Sequence, residues 1–347
     1  FAAHFDRITT NRPLFERVET VWNARDKAGL TNEQARVLER TYESFVRSGA
    51  QLEGAERERM SAIKKRLAEL GTAFSQNVLA DEAAFMLPLH DEADLAGLPD
   101  GLRQAMAAAA AERETDAPYV VTLSRSLIEP FLMFSERRDL REKAYAAWIS
   151  RGDNGNGTDN NAIIAETLAL RKEFADLLGF ATYADYRLAN TMAENPANVN
   201  ELLETVWPHA VGRALEERDS LEAEARRAGQ NIEIEGWDWR YWAERVRRTN
   251  YELDEAQVKE YLPLEAVIAA AFAVANRLFG LTFEPRDDIR AYHPDVRAFA
   301  VKDRADNEVG LFLGDYFARA SKRSGAWMTA FRNQERLREA TTPIILN

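Results

Sequence analysis

A mainly α-helical protein with a small, late antiparallel β-sheet is what this sequence predicts. Three observations carry the expectation. Ala, Leu, Glu and Arg dominate, apolar residues recur mostly at spacings of three and four, and strand-like runs are few and concentrated after residue 290. The stretch 56–79 shows the helical pattern most plainly. It sets Ile63, Leu67, Leu70, Phe74 and Val78 on one stripe, with Arg, Lys and Glu covering the rest of the surface.

The same periodicity predicts helices over 13–27, 32–48, 99–114, 135–150, 160–178, 182–190, 196–227, 238–250, 254–261 and 264–279. Pro13 suits a first helical position, and Gly29, Gly179 and Gly280 fall where helices should stop. The alanines at 107–111 favour helix. Short strands are expected at 84–88 and 119–123. Stronger ones follow at 296–301 and 309–313, joined by a turn containing Asp303, Asp306 and Asn307, and 344–346 supplies a third. The segment RGDNGNGTDN, 151–160, reads as a solvated connection. A calcium loop needs Gly at its sixth position and Glu at its twelfth, and counting from Asp153 those places hold Thr158 and Ile164. No repeat or Pro/Ser-rich linker marks a firm boundary. The approximate division is an N-terminal helical segment 1–60, a helical portion 61–290 and a small-sheet segment 291–347.

Composition removes several functions. A net charge of −12, from 45 basic and 57 acidic residues, lacks the basic surplus that phosphate contacts require, so no nucleic-acid partner is expected. No apolar run reaches the roughly 18–20 residues that span a bilayer, so no membrane partner is expected either. The absence of cysteine excludes disulfides, thiolate nucleophiles and cysteine metal sites. Neither a Gly-x-Ser-x-Gly nor a phosphate-cradling Gly-x-x-x-x-Gly-Lys motif occurs. Ser61-Ala-Ile-Lys64 matches Ser-x-x-Lys by chance inside a charged helix, and Asp287-Asp288 reads as a solvated loop. The four histidines, His4, His90, His209 and His293, include no pair at helical or strand spacing, so the sequence offers no local zinc motif. His90-Asp91-Glu92 reads as a turn after a strand. In Trp237-Asp-Trp-Arg-Tyr-Trp242, Asp238 is placed to cap a helix that sets Trp239, Trp242 and Val246 on one face. That face reads as core-facing, with the wall of a peptide groove as its functional alternative. The chain starts at Phe1, with no initiator Met and no basic-then-apolar leader, so the native N-terminus is expected further upstream; a cytoplasmic location is the expectation.

Several ordered blocks resemble the thimet-oligopeptidase-like zinc metallopeptidases. They are Leu67–Val78 with Phe74-Ser-Gln-Asn77; Asp238-Trp-x-Tyr241-x-Ala243-Glu244-x-Val246-Arg247; Tyr261-x-Pro263-Leu264-Glu265; and Leu278-Phe-Gly-Leu281-x-Phe283. The last block is the most specific. Gly314-Asp315-Tyr316-Phe317-Ala318-Arg319 and Ser321-Lys322-Arg323-Ser324-Gly325-Ala326-Trp327, followed by Thr342-Pro343-Ile344-Ile345-Leu346-Asn347, are similar to the bacterial peptidyl-dipeptidase branch. Trp242 and Leu262 replace a usual Tyr and Phe and keep the bulk.

This resemblance implies one half of a two-lobed, channel-type helical fold. It also implies zinc in the intact enzyme, held by a His-Glu-x-x-His helix expected after Asn347. The chain alone is then expected to hold no zinc and no catalytic residue, to be inactive, and to expose an apolar face where the missing C-terminal catalytic portion packs. The activity implied is hydrolysis of short unstructured peptides with release of C-terminal dipeptides. The alternatives are the oligopeptidase-A-type endopeptidases of the same family and a non-catalytic helical scaffold. Ser324, Gly325 and Ala326 resemble an edge strand that pairs with the substrate backbone, and they are the candidate substrate-binding residues. Lys322 and Arg323 read as solvated charges, with a peptide carboxylate as their other possible partner.

Overall fold

The computed structural model describes residues 2–251, 255–317, 319, 322, 325–335 and 342–347. It divides into two compact units, Phe1–Val246 and Arg247–Asn347. Residue 60 lies inside a long helix and residue 290 between two strands of the second unit.

The first unit runs α1 (Ala2–Thr9), α2 (Arg12–Asn23), α3 (Asn32–Arg47), α4 (Gly54–Ala84), β1 (Leu87–Leu89), α5 (Asp100–Glu112), β2 (Tyr119–Val121), α6 (Arg125–Phe134), α7 (Arg138–Ile149), α8 (Asn161–Leu177), α9 (Tyr183–Leu188), α10 (Pro196–Arg227) and α11 (Trp239–Tyr251), whose last turns cross into the second unit. Local chemistry explains the ends. Thr31 accepts the Gln34 N–H while the Gln34 side chain accepts the Thr31 N–H, a reciprocal cap that starts α3. α4 outruns the stripe that predicted it, so β1 begins at Leu87 instead of residue 84. α7 starts three residues late because the 135–137 segment is drawn into bonds with its neighbours, the Ser135 carbonyl accepting from Arg141.

Two elements of this unit have no counterpart in the sequence-based expectation, α1 and α6. α6 holds Leu127, Ile128, Phe131 and Leu132 in the core. Their spacing is helical, and Pro130 disguises it. Sitting in the second turn, that proline forgoes one backbone bond without ending the helix. The main core joins these residues to Leu89, Leu102, Met106, Val121, Leu140 and Ala144. A second core lies between α4 and α8, where Met60, Ile63 and Leu70 meet Leu170 and Phe174. Its rim is clasped by Arg59–Glu173 at 2.6 Å and Arg66–Glu166 at 2.6 Å. The 151–160 loop is docked rather than simply solvated: Asp81 of α4 accepts from the Gly152 N–H and from Asn154, both at 2.7 Å, and from Thr158.

The second unit contains α12 (Glu255–Glu260), α13 (Leu264–Phe279), β3 (Thr282–Pro285), β4 (Arg297–Lys302), β5 (Glu308–Gly314), β6 (Thr329–Arg332) and β7 (Ile344–Leu346). The strands form one sheet in the order β3-β4-β5-β7-β6. It is mixed rather than wholly antiparallel, because β5 and β7 run parallel. The long stretch between them lets the chain return in the same direction, which a short hairpin cannot do. Register sorts the side chains. Phe299 opposite Phe312 shares a face with Phe283, and Phe272 of α13 stacks on Phe283 at 4.0 Å. Ala298 opposite Leu313, with Leu311, Ile344 and Leu346, forms the other face.

Apolar surface is left uncovered on two helices. Leu202, Leu203, Val206, Trp207, Val211 and Leu215 make an exposed stripe along α10, and Val267, Val274, Leu278 and Phe279 are exposed on α13. Among the described residues no helix is long and apolar enough to cross a membrane.

Candidate functional site

The segment that leaves β5 is organised around one carboxylate. Gly314 ends the strand where a Cβ would press against the ring of Tyr316, so the chain can turn tightly there. Asp315 continues the sheet bonding for one residue, its N–H donating to the Asn347 carbonyl at 2.9 Å. Its carboxylate then accepts two bonds from Arg319, at 2.8 and 2.6 Å, and one from the Tyr292 hydroxyl at 2.8 Å. Lys322 approaches it at 2.8 Å and also donates to the carbonyls of Asp315 and Phe317. The paired guanidinium bonds, working against burial, hold the Asp315 carboxyl well below the usual carboxylate range. Burial, then the bond to Asp315, raises the Tyr292 phenol.

Lys322 is therefore neither a solvated charge nor open to a peptide carboxylate, since the half-buried ammonium is committed to Asp315 and two carbonyls. Arg323 and Ser324 lie outside the described residues. Gly325 and Ala326 are exposed and adjacent, and neither is in a strand; Gly325 has φ +111°. The next described strand along the chain is β6.

Among the described residues β6 pairs with β7 alone, so one side of Thr329–Arg332 carries backbone groups with no described strand beside them. An extended peptide added there would find the donors and acceptors it needs. The β6–β7 register slips between Ala330 and Arg332, leaving Phe331 as the extra residue of a bulge. Its ring meets that of Tyr292 edge-on, with centroids 6.5 Å apart. Both rings are more than half exposed, Tyr292 at 55% and Phe331 at 56%, and Trp327 and Met328 are exposed just before the strand. Sequence reasoning passed over Tyr292 and β6. The alternation in Thr329-Ala330-Phe331 was the available signal, and it is too short to stand out.

The aromatic cluster ahead of α11 is core. Trp242 is fully buried and Trp239 and Val246 pack with it against Leu221 and Ala225 of α10. Asp238 turns its carboxylate to Arg138 and Arg141. His293 belongs to a turn in which its Nδ1 accepts the Asp295 N–H, and His90 follows β1. Among the described residues no three His, Cys, Asp or Glu side chains come together as metal ligands. The residues described here thus do not fit a zinc ion.

Comparison with known proteins agrees with the resemblance. The chain is 36% identical over 341 residues to a dipeptidyl carboxypeptidase of Escherichia coli (strain K12), covering 98% of this chain and 50% of that protein. A dipeptidyl carboxypeptidase of Salmonella typhimurium is 36% identical over 347 residues, covering 100% of this chain and 51% of that protein. Oligopeptidase A of Escherichia coli is 34% identical over 305 residues, 87% of this chain and 45% of that one. The chain spans about half the length of the curated relatives it matches. The profile of Peptidase family M3 matches residues 131–347, well over half of the sequence, and the chain belongs to that family.

Proposed function

We propose that this chain is the substrate-facing portion of a zinc-dependent peptidyl-dipeptidase, which releases dipeptides from the C-termini of short unstructured peptides. The observation that carries the reading is the likeness, over essentially the whole chain, to proteins named dipeptidyl carboxypeptidase; the match to oligopeptidase A covers less of it. The open side of β6 supports a peptide-binding role, because an extended substrate gains main-chain hydrogen bonds there. Gly325 and Ala326, small and exposed before that strand, and Ser324 beside them are kept as substrate contacts in this proposal. Zinc is held by residues outside those described here, and the exposed stripes of α10 and α13 are the surfaces expected to pack against further parts of the enzyme.

The test uses the longer polypeptide that contains this sequence, purified with its metal content measured. N-acylated short peptides should lose C-terminal dipeptides, a chelator should stop this and zinc should restore it. Cleavage of C-terminally amidated peptides at internal bonds would favour the oligopeptidase-A alternative. Failure to hydrolyse either class would sink both readings. The present chain alone should release no dipeptide.

A further inference from the structure

Asp315, Tyr292 and Phe331 come from three separate parts of the second unit and form one chain of contacts beside the open strand. The Asp315 carboxylate accepts the Tyr292 hydroxyl at 2.8 Å while Arg319 and Lys322 hold that carboxylate in place. Tyr292 in turn sets its ring edge-on to Phe331. Phe331 sits where the β6–β7 register shifts, between Ala330 and Arg332. Two aromatic residues, each more than half exposed, thus stand together at β6, which among the described residues has a strand on one side only. Elsewhere in the unit, Phe272, Phe283, Phe299 and Phe312 pack against one another. Tyr251, Tyr261, Phe279, Phe317 and Trp327 are exposed as well, and what sets Tyr292 and Phe331 apart is that the two exposed rings meet each other at β6.

We infer that Tyr292 and Phe331 form a subsite for an apolar side chain of a peptide lying along β6, and that Asp315 is its positioning residue. The occupant follows from the surroundings. An open strand edge selects an extended backbone, and the adjoining ring faces select apolar area on it. Asp315 does not touch the peptide. It fixes the tilt of Tyr292, and through it the gap beside Phe331. This deepens the proposed function and rests on peptide binding at β6, but not on hydrolysis.

Binding is therefore measured directly, by fluorescence anisotropy of two N-terminally labelled pentapeptides that differ only by Leu against Ser at the central position. The protein is the full chain. Wild type should bind the Leu peptide roughly tenfold more tightly, the scale on which apolar pockets discriminate. Phe331→Ala should remove most of that preference, weakening the Leu peptide several-fold more than the Ser peptide. Tyr292→Phe and Asp315→Asn, which keep ring and size, should reduce the preference by a smaller factor. A merely structural effect would weaken both peptides equally, and that result would overturn the subsite, as would equal binding of the two peptides by wild type or no binding of either. If the preference appears and behaves as expected while the longer polypeptide releases no dipeptide, the subsite stands and the proposed hydrolysis falls.

Discussion

Asp238 accepts hydrogen bonds from Arg138 and Arg141 at once, at 2.7 and 2.8 Å, with its carboxylate fully shielded from solvent. Arg141 is equally buried, and it also donates to the carbonyls of Ser135 and Trp237 and lies over the Tyr241 ring. Desolvation pushes its guanidinium below the ordinary arginine value. The pair ties α7 to the start of α11.

Removing one partner strands the other. Asp238→Asn should destabilise the protein by about 3–5 kcal/mol, since a buried guanidinium loses its counter-charge. Replacing both, as Asp238→Leu with Arg141→Met, should cost less than Asp238→Asn alone. Arg138→Ala should be milder, because that side chain is partly exposed. Urea unfolding checks all three, and an Asp238→Asn loss under about 1 kcal/mol would contradict the assignment.

Asp315 makes a pH prediction. Arg319, Lys322 and Tyr292 favour its ionised form, so its folded pKa lies below the unfolded value of about 3.9. The stabilisation is fully present above that value and is lost as pH falls through the folded pKa. Wild type should exceed Asp315→Asn in urea midpoint at neutral pH, and the gap should shrink progressively below about pH 4. A gap that widened in acid would reverse the sign and refute the network.

Two glycines should respond in opposite directions to alanine. Gly97 has φ +81°, and a Cβ there would run into the Phe134 carbonyl oxygen, so Gly97→Ala should cost about 2 kcal/mol or more. Gly101 lies in the first turn of α5 with open space around it, so Gly101→Ala should stabilise by about 0.5 kcal/mol. Thermal denaturation of the two variants decides the matter.

The α10 stripe should behave as accessible apolar surface. Trp207→Glu should lower binding of an environment-sensitive apolar dye and reduce self-association, while changing stability by no more than about 0.5 kcal/mol. Unchanged dye binding would mean that the stripe is covered in solution.

The helices were legible because an amphipathic stripe is a local signal. α3, α8, α10 and α13 begin and end within a residue or so of where periodicity and capping put them. α6 was hidden by a proline that a second-turn position tolerates, and β6 by its shortness. The family blocks were also visible in sequence, because their order and wording do not depend on contacts. What only the tertiary structure decided is which side chains meet across long separations. Asp238 turns to two arginines about a hundred residues earlier, Lys322 is consumed by Asp315, and the open strand lies at Thr329–Arg332 instead of at Gly325–Ala326. Spacing along a chain fixes which face a residue occupies. It carries no information about which distant charge or ring comes to stand opposite, and at the edge of this sheet that pairing sets the geometry.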